Sequence, residues 1–243
     1  MGTAQAVLDR YADDTPYETL SKRFLESDRW TGDDPVLLLA EAAAATTGQR
    51  FGGIRSTVER FHDAFVSTGR VDSLASLAAL DFEDDALVAA FGARRKRRVL
   101  LEAASILASR PEAADRTALR AWAAEADHYR YAEDPIGAIS GVGPATFQYL
   151  RQLAGVDAVK PDPQVRRLIT AIDAALGPSP LDTSTPLRTI ASCEWLSLTT
   201  AYRPLEIDRI AWWTFTDADE REAVVATHRD RSLADGTGGG RED

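Results

Sequence analysis

Two short blocks of the sequence carry residue types that can do chemistry. The first is Gly141-Val142-Gly143-Pro144-Ala145-Thr146, a tight turn opening a helix. Gly141 and Gly143 allow positive φ and leave the backbone bare, Val142 between them can plug into a core, and Pro144 suits a first helical turn. The N–H groups of such a turn lack partners in the chain; with the positive end of the helix dipole they can hold a phosphate. Contact of that kind grips a nucleic-acid backbone without reading its sequence. The second block, about twenty residues on, is Lys160-Pro161-Asp162-Pro163. Asp before Pro is a helix N-cap arrangement worth about 1 kcal/mol, and the same carboxylate is free to act on a reacting centre.

Basic residues gather around these blocks: Arg151, Lys160, Arg166 and Arg167. The run Arg94 to Arg98 offers a second cluster, either a phosphate clamp or, as such runs more often are, a solvated face. Against this, the chain of 243 residues has a net charge of −10, and of its 28 basic residues only Lys22, Lys96 and Lys160 are lysines. An acidic, lysine-poor composition is the style of salt-loving archaeal or high-GC bacterial proteomes, in which carboxylates maintain solubility. A nucleic-acid face on such a protein must be local and basic. His62, His128 and His228 have no metal-ligand spacing, and no metal site is expected. The single Cys193 excludes an internal disulfide and any four-cysteine zinc or iron–sulfur site within the chain, and reads as a small buried hydrophobe.

The elements that position these residues are helical. Apolar spacing near 3.6 predicts helices over Ala4–Tyr11, Tyr17–Ser27, Pro35 to Gly48, Ile54–Ser67, Asp72–Leu80, Asp84–Phe91, Ala93–Ser109, Arg116–Asp127, Thr146–Ala154, Pro163–Leu176, Pro186–Tyr202 and Leu205–Phe215. Phe51 to Ile54 reads as a turn, and Ile136 to Ser140 as the end of a short helix before the Gly141 turn. No run alternates with period two, so the fold class is all-α. Residues 1–231 form one domain, and 232–243, nearly continuous glycine from Gly236 to Gly240, a disordered tail. The longest apolar run, Val36 to Ala45, is about half of the roughly 20 residues a bilayer span needs, and Met1 to Arg10 lacks a signal-peptide layout. A cytoplasmic protein without membrane contact is expected.

The pair of blocks, Gly141 to Thr146 followed by Val159-Lys160-Pro161-Asp162-Pro163-Gln164-Val165-Arg166-Arg167, resembles the helix-hairpin-helix base-excision DNA glycosylases, among them endonuclease III and the adenine and alkyl-base glycosylases. The close match covers roughly 30 residues. Leu205 to Trp212 also looks like a terminal packing helix of relatives of unknown activity. The resemblance implies a two-lobed helical fold with the helix-hairpin-helix over about 136–154. It places the catalytic aspartate at Asp162 and DNA contacts at Gly141, Val142, Gly143, Pro144, Ala145, Thr146, Lys160, Arg166 and Arg167. It further implies that a monovalent cation can sit at the hairpin, and that the partner is double-stranded DNA carrying a damaged or mismatched base, bound by a monomer.

The chain departs from the family at two places. Ala145 stands where strand-cleaving members carry a lysine, so an active protein would remove a base without Schiff-base lyase chemistry. Pro163-Gln164 replaces the usual Thr-His after the aspartate, changing the first turn of the catalytic helix. A carboxylate near C1′ stabilises the sugar cation or activates water, and the extruded base needs aromatic walls, for which Trp122, Tyr129 and Tyr131 are candidates. The alternatives are an inactive module of the same fold that binds DNA for a repair partner, and an acidic helical protein whose hairpin only packs.

Overall fold

The computed structural model of the chain describes residues 2–235, and among these it is all-helical with no strand. Thirteen α-helices run in order: α1 (Ala4–Ala12), α2 (Tyr17–Leu25), α3 (Pro35–Ala45), α4 (Phe51–Phe61), α5 (Leu74–Ala78), α6 (Asp85–Phe91), α7 (Arg94–Ala108), α8 (Asp115–Glu125), α9 (Pro144–Leu153), α10 (Pro163–Leu176), α11 (Pro186–Thr199), α12 (Pro204–Phe215) and α13 (Ala218–Asp235). Several starts follow from their side chains. Asp34 Oδ1 accepts from Val36 N at 2.8 Å with Pro35 behind it, and Asp84 Oδ1 accepts from Ala86 N and Leu87 N at 2.9 and 3.0 Å.

Burial separates two apolar cores. The larger unites α3 to α9 around Leu39, Phe61, Leu77, Leu100 and Phe147. The smaller is built from α10, α11 and α12 with α1, through Val7, Leu8, Ile169, Ile172, Cys193, Leu196 and Ile210. Helix α1 thus packs with the later helices α10 to α12, while α13 lies against α4 of the larger core. Helix α2 lies at the junction: its Phe24 packs into the larger core, and Arg209 of α12 stacks over the same ring at 4.8 Å.

The structure differs from the sequence reading at four elements. Phe51-Gly52-Gly53 is the first turn of α4, not a turn before it; Glu220 Oε1 accepts from Phe51 N at 2.9 Å and supplies the missing cap. The segment read as helical to Ser67 ends in a π-helical turn, His62–Val66. Ile136 to Ser140 is a single turn, preceded by a 3-10 helix, His128–Glu133. Lastly, α13 follows the helix expected to be last and carries helical backbone through residues 232–235; the rest of the expected tail, 236–243, lies outside the described residues, as does the side chain of His228.

Candidate functional site

Asp134 organises the chain entering the Gly141 turn. Its Oδ1 accepts from Ile136 N at 2.8 Å, and its carboxylate accepts from the Trp122 indole at 3.1 and 3.2 Å. The turn then passes beneath the Tyr131 carbonyl so closely that a Cβ on Gly137 would lie 1.7 Å from that oxygen; only glycine fits. Gly141 has φ +114°, and its carbonyl accepts from Arg95 Nη2 at 2.7 Å. Val142 packs half-buried on the larger core. Gly143 is different from the expectation: it is extended, φ −116° and ψ 179°, and a Cβ there would meet nothing within 4 Å. Its value is an open approach to the N-terminus of α9, where Pro144 is the first residue and no side chain caps the free N–H groups.

Asp162 caps α10. Its Oδ1 accepts from Gln164 N and Val165 N, both at 3.1 Å, while Oδ2 has the Lys160 ammonium at 3.7 Å. Burial pushes the carboxyl above its ordinary value; Lys160 opposes the shift and nearby Asp208 adds to it. The loop that presents Asp162 is held by Asp208 of α12, whose buried Oδ2 accepts from Lys160 N at 2.7 Å and from Gln152 Nε2 of α9 at 2.8 Å. One carboxylate therefore ties the catalytic-candidate loop to the helix that follows the Gly141 turn.

Both features line one cleft of about 520 Å³ between the two apolar cores. Gly143 to Thr146 and Tyr149 come from α9, Lys160 to Gln164 from the Asp162 loop, Trp30, Gln49 and Phe51 from around α3 and α4, and Arg209 and Trp212 from α12. Trp30 and Phe51 meet edge to face at 5.9 Å. Behind the wall, Glu41 is fully buried in α3 and accepts from Arg29, from Thr31 Oγ1 at 3.1 Å and from the Tyr149 hydroxyl at 2.6 Å. Burial and Glu41 push the Tyr149 phenol upward, so it remains a donor. Arg23, Arg29, Arg95, Lys160 and Arg209 line the cleft with Asp162 and Glu220; Arg29 and Arg209 are paired with Glu41 and Asp208, and Lys160 faces Asp162, which leaves Arg23 and Arg95 as its further cations.

Of the DNA-contact candidates, Gly143, Pro144, Ala145, Thr146 and Lys160 line the cleft with Asp162. Gly141 and Val142 support the turn from behind. Arg166 and Arg167 are exposed on α10 outside the cleft, and Arg167 stacks over Phe215 at 4.5 Å. Arg151 is buried, donating to the Ala123 carbonyl at 2.9 Å, and serves packing. None of the three aromatic candidates reaches the cleft. Trp122 is buried, held by Asp134 and edge-on to Phe147 at 5.4 Å; Tyr131 packs 6.0 Å from Phe147; Tyr129 is 45% exposed with its hydroxyl on Glu194 at 2.6 Å. Nearness in sequence to the turn does not bring them to the cleft: Trp122 and Tyr131 pack on the larger core and Tyr129 stays exposed.

Of the cleft's aromatics, Tyr149 follows the Gly141 turn in α9, while Phe24, Trp30, Phe51 and Trp212 come from distant segments. The only sequence signal for them was Trp212 beside Asp208 and Arg209 in the C-terminal helix. Four residues of the Arg94 to Arg98 run make structural bonds. Arg95 holds Gly141, Lys96 donates to Gln49 Oε1 at 2.5 Å, Arg97 donates to the Phe82 carbonyl at 3.1 Å, and Arg94 pairs with Glu83.

Comparison of the chain with protein-family models, with curated proteins and with solved structures gives no match. Among the described residues no helix is long and apolar enough to cross a membrane, and no group of His, Cys, Asp or Glu is arranged to hold a metal ion.

Proposed function

We propose that this protein binds double-stranded DNA and removes a flipped base, as a monofunctional DNA N-glycosylase with a two-lobed, helix-hairpin-helix glycosylase-like fold. The observation that carries the reading is the shared cleft: the uncapped, glycine-opened start of α9 and the carboxylate of Asp162 line the same basic hollow between two cores. A phosphate at the α9 N–H groups would anchor the strand, leaving the neighbouring nucleotide to enter between aromatic walls.

In the reaction, the bond from C1′ to the base nitrogen breaks with its electron pair leaving on the base. Asp162 stabilises the sugar cation through Oδ2, the oxygen not engaged in the cap. Water oxygen then bonds C1′, and the proton it releases passes to Asp162 and on to the departing base. A carboxyl raised by burial is a stronger base than an ordinary aspartate. Ala145, at the start of α9, offers no amine for a covalent sugar intermediate.

The bonds from Asp162 Oδ1 to two N–H groups also favour a second reading, an inactive binder in which the residue is only a cap. A base-release assay over oxidised, deaminated, alkylated and mismatched duplexes tests the pair. Base release that is lost in Asp162→Asn supports the enzyme. Duplex binding that weakens steeply with salt, without base release, supports the binder. No salt-dependent binding at all refutes both.

A further inference from the structure

The Gly141 turn is held by a charge that comes from α7. Backbone N–H groups serve three carbonyls along the turn and the α9 start: Ile136 O, Ile139 O and Gly143 O accept at 3.2, 2.9 and 2.9 Å. The Gly141 carbonyl accepts from no backbone N–H and takes Nε and Nη2 of Arg95 instead, at 3.2 and 2.7 Å. The approach is close: a Cβ on Gly141 would lie 2.8 Å from Arg95 Cγ. Arg95 is the second residue of α7, where a cation opposes the helix dipole, so the helix gains nothing from it. It pairs with no carboxylate among the described residues, whereas Arg94, Arg97 and Arg98 of the same run pair with Glu83 and Glu102. A guanidinium carries N–H donors on all three nitrogens, and Arg95 Nη1 bonds no described group. The side chain is exposed and lines the cleft beside Gly143 to Thr146.

Resting on the base-excision reading, we infer that Arg95 is a fixed cation built into the hairpin: it holds the Gly141 carbonyl with one edge, meets the DNA phosphate at the start of α9 with the other, and makes a metal ion there unnecessary. A potassium or sodium ion at the turn would draw on backbone carbonyl oxygens in place of its water. The Gly141 oxygen already faces a guanidinium, and a second positive charge beside it is repelled. The family resemblance implies a monovalent cation at the hairpin; the residues of this turn fit an arginine in that role. Arg95 supplies what such an ion would supply, a neutralised carbonyl and a positive charge facing the strand, from a side chain anchored in α7. It acts on the position of the strand and not on the bond to the base.

The test uses the full chain and a labelled duplex carrying one tetrahydrofuran abasic analogue, which has no base to release. Anisotropy follows binding in potassium, sodium and tetramethylammonium chloride at equal ionic strength, the last ion being too bulky to sit among carbonyls. Wild type should bind equally in all three, within about twofold. In tetramethylammonium chloride Arg95→Met should bind at least about tenfold more weakly, one charged hydrogen bond being worth that factor or more. Its plot of log K against log salt should be shallower by about 0.9, the loss of one phosphate contact. Arg95→Gln keeps an N–H for Gly141 and drops the charge, so it should show the same shallower slope; thermal melts establish that each variant is folded. Wild-type binding at least about fivefold tighter in potassium or sodium than in tetramethylammonium overturns the inference. An unchanged slope in either folded variant also overturns it, whatever the affinity, because packing alone does not move the slope. In both cases salt-dependent duplex binding leaves the broader reading standing. Failure of the wild type to bind the duplex in any of the three salts overturns both.

Discussion

Asp162 does two things that substitution can separate. Its Oδ1 caps α10 through two N–H groups at 3.1 Å, and its buried charge sits in the cleft with Lys160 as counterion at 3.7 Å. Asparagine retains the cap oxygen and removes the charge; alanine removes both. Asn and Asp cap equally well, whereas alanine costs about 1 kcal/mol, which for a chain of this length lowers Tm by about 2–4 °C. At neutral pH Asp162→Asn should melt at or above the wild-type temperature, because burial disfavours the ionised carboxylate.

The sign with pH follows. A raised folded pKa means the contribution of Asp162 is fully present below its ordinary value of 3.8 and is lost as pH rises through the higher folded value. The advantage of Asp162→Asn therefore vanishes on acidification below about pH 4. Base release should behave oppositely, rising with pH as the carboxylate forms, and Asp162→Asn should lose about 10²–10⁴-fold. Paired melting curves from pH 3.5 to 8 and single-turnover base release decide it. Full activity in Asp162→Asn would refute the catalytic assignment; a melt as low as that of Asp162→Ala would refute the cap equivalence.

The two turn glycines should part company: Gly141→Ala places a Cβ 2.8 Å from Arg95 Cγ at φ +114° and should cost about 1–3 kcal/mol in urea unfolding. Gly143→Ala fits its extended backbone and open space, so it should leave stability within about 0.5 kcal/mol and weaken duplex binding, measured by anisotropy, through a methyl at the mouth of α9. Trp122→Phe loses the bond to Asp134 and should destabilise by about 1–2 kcal/mol, while base release per folded molecule at saturating duplex is unchanged because Trp122 lies outside the cleft. Glu41→Leu leaves Arg29 buried without its counterion and should cost about 3–5 kcal/mol, seen as a fall of roughly 10 °C in Tm.

Helix starts were legible at Asp34-Pro35 and Asp162-Pro163, because cap and first turn are both local there. The turn at Gly141 was legible for the same reason. What escaped was set by distant contact. Gly52 and Gly53 read as a break, yet α4 begins there because Glu220, 169 residues from Phe51, accepts from its N–H. Helix α13 has no sustained apolar stripe, and its described contacts with α4, such as Arg55 to Thr227 at 2.7 Å, cannot be read from periodicity. Glu41 stands alone in the apolar, alanine-rich α3, and its partners Arg29, Thr31 and Tyr149 lie in other segments, so its role cannot be read locally.

Why charges are buried at the junction of two apolar cores is a question of position more than of stability. Replacing a buried ion pair by well-packed apolar residues is often neutral or stabilising, so Arg29 with Glu41 and Arg209 with Asp208 are weak contributors to the fold as pairs. Each carboxylate, however, fixes more than its arginine. Glu41 also holds Tyr149 of α9, and Asp208 also holds Gln152 of α9 and the backbone of Lys160, two residues before Asp162. The turn that offers N–H groups and the loop that offers a carboxylate are thereby set against each other by groups from α3 and α12, one from each core. A site divided between two cores needs such cross-ties to keep its parts in register.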